Sequence, residues 1–176
     1  MLKDLICIIP ARKGSKRIKQ KNYKLFCEKP IIHHTITKLK KSKIFNEIFV
    51  STDSEKIAKI CKKLNVKVLK RSKKLSDDFT DTKTVIYDAL IKIKKLKIKY
   101  NKVCCVYPTS VFFDINKFKQ AIKLLSINTP YIFTAKEYEH PIHRSFHLNN
   151  KKKIVHNLKN LISKRTQLFK RSFYDG

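Results

Sequence analysis

The strongest constraint on the fold is the continuous apolar run from Leu5 to Ala11, near the start of the chain. A strand with one face in solvent alternates apolar and polar residues, whereas a strand inside a parallel sheet is covered on both faces and reads as continuously apolar. The run therefore predicts a buried strand of a parallel sheet. Because parallel neighbours need a crossover connection, we expect helices between this strand and its neighbours.

Short apolar runs alternate with amphipathic segments up to about residue 139. Further strands are predicted at Glu47–Ser51, Val66–Leu69, Lys102–Tyr107 and Tyr131–Ala135. Helices are predicted from Pro30, over Ser54–Asn65, from Asp81 or Thr82, and after Asp114. Strands that alternate with helices in this way form βαβ units. The predicted fold class is therefore α/β, with three layers and a mostly parallel, twisted sheet.

After Glu139 this alternation stops. The sequence NNKKK at 149–153 predicts a turn between two hairpin strands, His143–Leu148 and Ile154–Leu158. We interpret residues 139–160 as a hairpin excursion that takes part in a homodimer interface. The chain ends in FYDG without a further predicted strand or helix. We therefore expect a single domain over residues 1–176 that lacks its C-terminal part.

The formal charge of +29 is typical of nucleic-acid-binding proteins. However, only six of the 42 basic residues are Arg, which leaves 36 Lys, and these are spread over the whole chain. Arg is the side chain that best forms bidentate contacts with phosphates and bases. We interpret the charge as solvated lysine faces and expect no nucleic-acid partner; steeply salt-dependent DNA binding would indicate the alternative.

The cysteines and the apolar segments indicate the compartment. None of the five cysteines forms a C-x-x-C pair, so we expect neither a zinc ribbon nor a disulfide framework, but free thiols in a reducing compartment. The apolar part of the N-terminus is too short for a signal peptide, and no apolar run approaches the about 20 residues of a membrane helix. The sequence predicts a cytoplasmic protein without a membrane partner.

Polar segments follow the predicted strands at the points where the strands end. They are Ala11–Arg17 with Lys21 and Asn22, then Ser51–Asp53, Ser76–Thr82 and Tyr107–Ser110. In an open α/β sheet, ligands bind beyond the carboxyl ends of the strands. Because these ends share one edge of the sheet, the four segments predict a substrate cleft.

The loop after the first strand contains Gly14, the only glycine in the interior of the chain. Glycine can adopt a positive φ and lets backbone N–H groups approach a phosphate closely. Five cations surround it, namely Arg12, Lys13, Lys16, Arg17 and Lys21. A triphosphate carries about four negative charges, which converging cations can bind. The loop predicts a nucleoside triphosphate site; the alternative is a solvated basic loop.

The segments IIPARKGSKRIKQKN, VSTDSEKIA and VYPTSVF resemble the sugar-acid cytidylyltransferases, which make CMP-activated sugar acids. The segments LSDDFTDT, VCCVYPT, EHPIHRSFHL and KRTQLFKRSFYDG most resemble the members that act on pseudaminic acid. The resemblance covers essentially the whole chain. It implies a Rossmann-like nucleotidyltransferase topology and a CTP-dependent enzyme, with N-acylneuraminate, legionaminate or KDO as alternative sugar acids.

The resemblance also implies roles for individual residues. The triphosphate loop corresponds to Ala11, Arg12, Gly14, Ser15, Lys16, Lys21 and Asn22, of which Arg12, Lys16 and Lys21 would be catalytic. The nucleotide would be bordered by Asp77, Asp78, Thr82, Tyr107 and Thr109, and the sugar acid by Ser110, Arg165 and Gln167. Asp53 corresponds to a magnesium ligand, so Mg²⁺ is the implied cofactor. The implied partners are CTP and a sugar acid.

Three features depart from the family pattern, and the first is YPTSVF, which replaces the more usual turn with Pro after the second small residue. Lys13 stands where a second glycine is usual, which would stiffen the loop or crowd the phosphate. Relatives continue past Asp175 with further sequence, from which several take a second acidic metal ligand. A catalytically inactive nucleotide-binding fold is therefore the alternative function from another class.

Three histidines, His140, His143 and His147, suggest a transition-metal cluster as a separate hypothesis. Pro141 disfavours a helix at this position, and in a strand only His143 and His147 would share a face. The alternative is a hairpin that borders the cleft without metal.

Overall fold

A computed structural model describes residues 4–175, which form two compact units, residues 4–115 and residues 116–175. The helices are α1 (Ile31–Ser42), α2 (Glu55–Lys63), α3 (Thr82–Lys95) and α4 (Ile115–Leu124). The strands are β1 (Leu5–Pro10), β2 (Leu25–Phe26), β3 (Lys29–Pro30), β4 (Glu47–Thr52), β5 (Lys67–Lys70), β6 (Lys102–Cys105), β7 (Ala135–Glu137), β8 (Phe146–Leu148), β9 (Ile154–His156) and β10 (Phe173–Asp175). Within residues 4–175, no helix has the length and apolarity of a membrane span.

The first unit is built on four parallel strands in the order β5-β4-β1-β6. Strand β1 lies inside the sheet, where Cys7 is opposite Ile48 of β4 on one side and Cys104 of β6 on the other. Residues Leu5–Ile9 are all buried, which confirms the predicted buried strand of a parallel sheet. The chain runs outward from β1 through β4 to β5 and then returns to the other side for β6, as in doubly wound nucleotide-binding sheets.

Helix α3 covers one face of this sheet. Together with inward-facing residues of the strands it forms a core cluster of Ile6, Ile8, Phe49, Leu69, Ala89 and Ile93. Side chains alternate along a strand, so Cys7 and Ile9 point to the opposite face. Right-handed crossovers put α1 and α2 on that face, where Ile36 and Ile57 are fully buried. The three predicted layers are therefore present.

Two helices begin at the capping residues that the sequence indicates. The Ser54 hydroxyl accepts a hydrogen bond from the N–H of Ile57 at the start of α2. At the start of α3, Oδ1 of Asp81 accepts a 2.7 Å hydrogen bond from the N–H of Thr84. Such caps satisfy N–H groups that have no partner inside the helix. They fix where α2 and α3 leave the carboxyl edge of the sheet.

The buried cysteines behave as apolar core residues. All five cysteines are free, and Cys7 and Cys61 are buried. Burial raises the pKa of the Cys61 thiol to about 12, so this thiol stays protonated at neutral pH. A protonated buried thiol is a small hydrophobe rather than a nucleophile.

The second unit contains two antiparallel strand pairs. Strands β8 and β9 form a hairpin around the turn at 149–153, with Phe146 opposite His156. The hairpin lies inside the predicted range but is shorter, because His143 belongs to a 3-10 turn, Ile142–Arg144. His143 and His147 therefore do not lie in the same strand.

The segment Tyr131–Ala135 is not a fifth strand of the parallel sheet, contrary to the prediction. Only Ala135 lies in a strand, as the first residue of β7, which pairs antiparallel with β10. Tyr131 and Phe133 stack on each other at 5.7 Å between ring centroids and are mostly exposed. Such residues favour strands only where a neighbouring strand packs beside them. Strand β10 also corrects the expectation that no strand is formed near residue 175.

Candidate active site

The loop that follows β1 is tied to the end of the neighbouring strand β4. The N–H of Ala11 donates a 2.9 Å hydrogen bond to the carbonyl of Ser51. The N–H of Lys13 donates a 2.7 Å hydrogen bond to Oδ1 of Asp53. The structure thus brings the predicted triphosphate loop into direct contact with the predicted metal ligand.

Asn22 fastens the far end of the same loop. It is buried, and its Nδ2 donates a 2.9 Å hydrogen bond to the carbonyl of Arg12. Asn22 lies in a 3-10 turn, Lys21–Tyr23, which follows Gln20. Lys21 is exposed in this turn, so the anchor at Asn22 sets an accessible ammonium group beside the loop.

Gly14 does not turn the loop as predicted. Its φ is not positive, and the left-handed residue of this segment is Gln20, with a φ of 59°. A Cβ built on Gly14 would have no atom within 4 Å apart from its chain neighbours. The open space leaves the backbone accessible, which is the property that a close phosphate contact requires. Lys13 also lacks a positive φ and is exposed, so lysine causes no backbone strain here, and Ser15 is half-buried.

Two cations of the loop converge on one carboxylate. Nη2 of Arg12 lies 2.7 Å from Oδ1 of Asp78, and Nζ of Lys16 lies 2.7 Å from Oδ2. Nη1 of Arg12 also donates to the carbonyl of Asp77. The hydrogen bonds from Lys16 and Arg12 hold the pKa of Asp78 below its ordinary value, although desolvation raises it. Asp78 is therefore ionised at neutral pH and faces both cations.

The backbone that carries Asp78 is shaped by the preceding residue. Oδ1 of Asp77 accepts hydrogen bonds from the N–H of Phe79 and from both the N–H and the hydroxyl of Thr80. The bonds from Thr80 lower the pKa of Asp77 most. This side-chain turn is local, so it presents Asp78 to the loop in a defined position.

The turn after β6 joins the same edge of the sheet. The hydroxyl of Thr82 lies 2.9 Å from the phenol oxygen of Tyr107, and the carbonyl of Pro108 accepts a 2.7 Å hydrogen bond from the buried hydroxyl of Thr35. The N–H of Ser110 donates to the carbonyl of Tyr107 and closes the turn. Helices α3 and α1 therefore hold Tyr107 and Pro108, and the turn itself places the predicted site residues Thr109 and Ser110 beside them.

Arg71 is a residue at this edge that the sequence analysis missed. It is buried, and it donates to Oγ (3.1 Å) and to the carbonyl (2.7 Å) of Ser51. Burial lowers its pKa, while the charge of Asp53 raises it and that of Arg12 lowers it. Its position directly after β5 is the signal that could have found it. Arg71 holds the end of β4 at the point where Asp53 emerges.

The remaining predicted substrate residues, Arg165 and Gln167, belong to the second unit. Arg165 precedes a 3-10 turn, Thr166–Leu168, and its carbonyl accepts a 3.1 Å hydrogen bond from the N–H of Leu168. Both side chains are exposed. Their contribution to a sugar-acid site stays a prediction.

The hypothesis of a histidine metal cluster is not supported. Among residues 4–175, no group of three or more His, Cys, Asp or Glu side chains is arranged to hold a metal ion. His143 stacks on Phe169 with 4.5 Å between ring centroids, and Nδ1 of His147 lies 2.9 Å from Oδ1 of Asn157. The hairpin interpretation of this segment agrees with these contacts.

Asp53 has the chemistry of a magnesium ligand that needs further donors. Its Oδ1 accepts the N–H of Lys13, while Oδ2 forms no hydrogen bond with any residue between 4 and 175. Mg²⁺ prefers hard oxygen ligands and usually binds one or two carboxylates together with substrate phosphates and water. A single carboxylate beside the predicted triphosphate loop fits that pattern.

Known proteins share both the sequence and the fold of this chain. A family model described as Cytidylyltransferase matches residues 6–172. A pseudaminic acid cytidylyltransferase of Campylobacter jejuni subsp. jejuni serotype O:23/36 is 35% identical over 173 residues, which are 97% of this chain and 75% of the relative. A CMP-N,N'-diacetyllegionaminic acid synthase of Legionella pneumophila is 35% identical over 121 residues, which are 68% of this chain and 52% of the relative.

Solved structures confirm the predicted nucleotidyltransferase topology. A CMP:2-keto-3-deoxy-manno-octonic acid synthetase complexed with CTP has a TM-score of 0.66 at 13% identity and covers 97% of this chain and 70% of its own. A 4-diphosphocytidyl-2C-methyl-D-erythritol synthase has a TM-score of 0.65 at 11% identity, over 88% of this chain and 67% of its own. At these identities the likeness concerns the fold alone. The family match over nearly the whole chain, on a sheet whose carboxyl edge joins a basic loop to Asp53, shows that the chain belongs to the cytidylyltransferases, which are CTP-dependent nucleotidyltransferases.

Proposed function

We propose that this enzyme transfers CMP from CTP to a sugar acid, with pseudaminic acid as the preferred acceptor and pyrophosphate as the second product. The observation that carries the proposal is the convergence of Arg12 and Lys16 on one anion position, in the loop that contacts Asp53. Two Campylobacter jejuni relatives named pseudaminic acid cytidylyltransferase, at 35% and 34% identity, support the choice of acceptor.

In the proposed reaction, the anomeric hydroxyl oxygen of the sugar acid forms a bond to the α-phosphorus of CTP. The bond from that phosphorus to the pyrophosphate oxygen breaks, and the hydroxyl proton is released. Negative charge builds up on the leaving pyrophosphate, so fixed cations next to it lower the barrier. We assign this role to Arg12, Lys16 and Lys21, with the accessible backbone of Gly14 as a further phosphate contact.

Two hydrogen bonds within the protein hold the loop in position. Asn22 holds the carbonyl of Arg12, and Asp53 holds the N–H of Lys13. Groups that are already positioned need little reorganisation during the reaction, which is the main source of rate enhancement in phosphoryl transfer.

Mg²⁺ is the proposed cofactor, and Asp53 is the residue that would hold it. When bound, the ion would neutralise charge on the phosphate oxygens. Asp53 would then serve two purposes, because one oxygen positions the loop through Lys13 while the other is available to the ion. We also expect a homodimer in the cytoplasm, which light scattering and cell fractionation would test.

The test is pyrophosphate release from CTP and Mg²⁺ with one sugar acid at a time: pseudaminic, legionaminic, N-acetylneuraminic acid or KDO. We expect the highest kcat/KM with pseudaminic acid, by about tenfold or more, since a specific pocket loses at least that much with an altered substituent. Reactions without sugar acid are the control for CTP hydrolysis. CTP binding without pyrophosphate release from any acid would instead indicate an inactive nucleotide-binding fold.

A further inference from the structure

The carboxylate of Asp78 lies where two phosphate-binding cations point. Its two oxygens are each 2.7 Å from a cation, Oδ1 from Nη2 of Arg12 and Oδ2 from Nζ of Lys16. We infer that Asp78 is an internal substitute for phosphate: its single carboxylate pairs with both cations until a triphosphate binds and displaces it. This inference rests on the proposed function, because that function assigns Arg12 and Lys16 to the triphosphate.

A carboxylate and a phosphate compete for the same donors. Both present two negatively charged oxygens to the planar fork of an Arg side chain, and both attract an ammonium group. If a phosphate approached Arg12 and Lys16 while Asp78 stayed in place, two anions would lie in contact and repel each other. The two arrangements therefore exclude each other.

The surrounding segment allows Asp78 to leave without unfolding. Asp77 shapes the turn through its bonds to Phe79 and Thr80, and Asp81 caps α3. In contrast, the carboxylate of Asp78 has no hydrogen bond within residues 76–82, and its partners in the described chain are Arg12 and Lys16. Rotation of this one side chain frees Nζ of Lys16 and Nη2 of Arg12, while Nη1 of Arg12 still donates to the carbonyl of Asp77.

The exposure of the three side chains makes the exchange easy. The Arg12 and Asp78 side chains are 29% and 30% exposed, and that of Lys16 is 76% exposed. Water screens ion pairs of this kind, so each contributes little net stability. A triphosphate with about four charges replaces one carboxylate readily, whereas a small anion with one or two charges gains little. Asp78 thus favours polyphosphates over inorganic phosphate.

Titration calorimetry with CTP and with inorganic tripolyphosphate tests the inference. Asp78→Asn keeps the shape of the side chain and removes its charge, so we expect both ligands to bind about five- to tenfold more tightly. The affinity of this variant for inorganic phosphate should rise by at least the same factor. Asp78→Glu retains the charge and should bind all three anions within about twofold of the wild type.

Glu47→Gln is the matched control. Oε1 of Glu47 lies 2.7 Å from Nζ of Lys67, so this variant also removes one carboxylate from an ion pair. Glu47 begins β4, whereas the predicted site lies beyond the other end of this strand, next to Asp53. We expect it to leave the affinity for CTP unchanged. If Glu47→Gln increased the affinity for CTP as much as Asp78→Asn does, the overall charge of the protein would explain the effect, and the inference would be overturned.

The inference and the proposed function can fail separately. If Asp78→Asn binds CTP no more tightly than the wild type, the inference is overturned. The proposed function still holds in that case, provided that the wild type binds CTP and releases pyrophosphate. Wild-type enzyme that binds neither CTP nor tripolyphosphate overturns both.

Discussion

The backbone N–H of Lys13 and the carboxylate of Asp53 form a 2.7 Å hydrogen bond across 40 residues of sequence. Because the bond uses only the main chain of Lys13, it does not depend on which side chain follows Arg12. It couples the position of the predicted triphosphate loop to the proposed metal ligand, so a displacement of one displaces the other.

Asp53→Asn separates these two roles. The amide oxygen can still accept the N–H of Lys13, but the charge that attracts a metal ion is lost. We expect nearly unchanged stability, weaker Mn²⁺ binding in the presence of CTP by electron paramagnetic resonance, and kcat lowered by about 10²-fold or more. Glu47→Gln serves again as the charge-matched control. If the activity of Asp53→Asn depended on Mg²⁺ in the same way as that of the wild type, Asp53 would not be a metal ligand.

Arg12→Ala should lower kcat by about 10²-fold or more, on the scale of losing one preorganised charge contact. Arg17→Ala is the control, since Arg17 is exposed in the same loop and forms no hydrogen bond or ion pair with any residue from 4 to 175. We expect its effect to stay within about threefold, as for a screened surface charge. Steady-state kinetics of pyrophosphate release measure both, and equal losses would mean that only the net charge of the loop matters.

Gly14→Ala tests how closely a phosphate approaches the loop. The added methyl group would contact no protein atom, and the backbone conformation is open to alanine, so stability should change by less than about 0.5 kcal/mol. We expect the KM for CTP to rise about tenfold, because the methyl group occupies the space beside the backbone N–H groups. Urea unfolding and CTP kinetics provide the two readouts. An unchanged KM would place the phosphates elsewhere.

Asp81 should make α3 sensitive to acid. Hydrogen bonds from Thr84 hold the pKa of Asp81 below its ordinary value of 3.8. A carboxylate with a lowered folded pKa stabilises the protein above its unfolded pKa, and this contribution is lost as the pH falls through the folded pKa. The wild type should therefore lose its advantage over Asp81→Ala below pH 3.8.

Urea unfolding at several pH values measures this advantage. Asp81→Asn caps the helix without titrating, so its stability relative to Asp81→Ala should not depend on pH. A wild-type advantage that stays constant into strong acid would show that the charge of Asp81 contributes nothing to the cap.

Local patterns were enough to predict the parallel sheet and the approach of the loop to Asp53. The apolar run from Leu5 could only be a strand covered on both faces, and parallel strands end at one edge, which brings Arg12–Lys13 and Asp53 together. The cap at Asp81 was equally local, because its donor is three residues away.

Local sequence patterns could not predict contacts between residues that are distant in the sequence. The β-favouring segment at Tyr131 has no adjacent strand, and strand pairing is decided by the fold rather than by propensity. Arg71 contacts Ser51, and Asp78 contacts Arg12, across segments that are distant in the sequence, so these particular pairings could not be predicted from local patterns. For Gly14, the sequence predicted the tight turn at this residue, whereas its φ is not positive and Gln20 is the left-handed residue of the loop.

The position of β1 inside the sheet determines the order in which the first unit can be completed. The ribosome makes this strand before its partners β4 and β6, which follow only at residues 47–52 and 102–105. Pairings over such sequence distances form slowly, and an unpaired apolar strand is prone to aggregate. We therefore expect the nascent chain to depend on chaperones until Cys105 has emerged, and the nucleotide loop attached to β1 to become competent only at that late stage of synthesis.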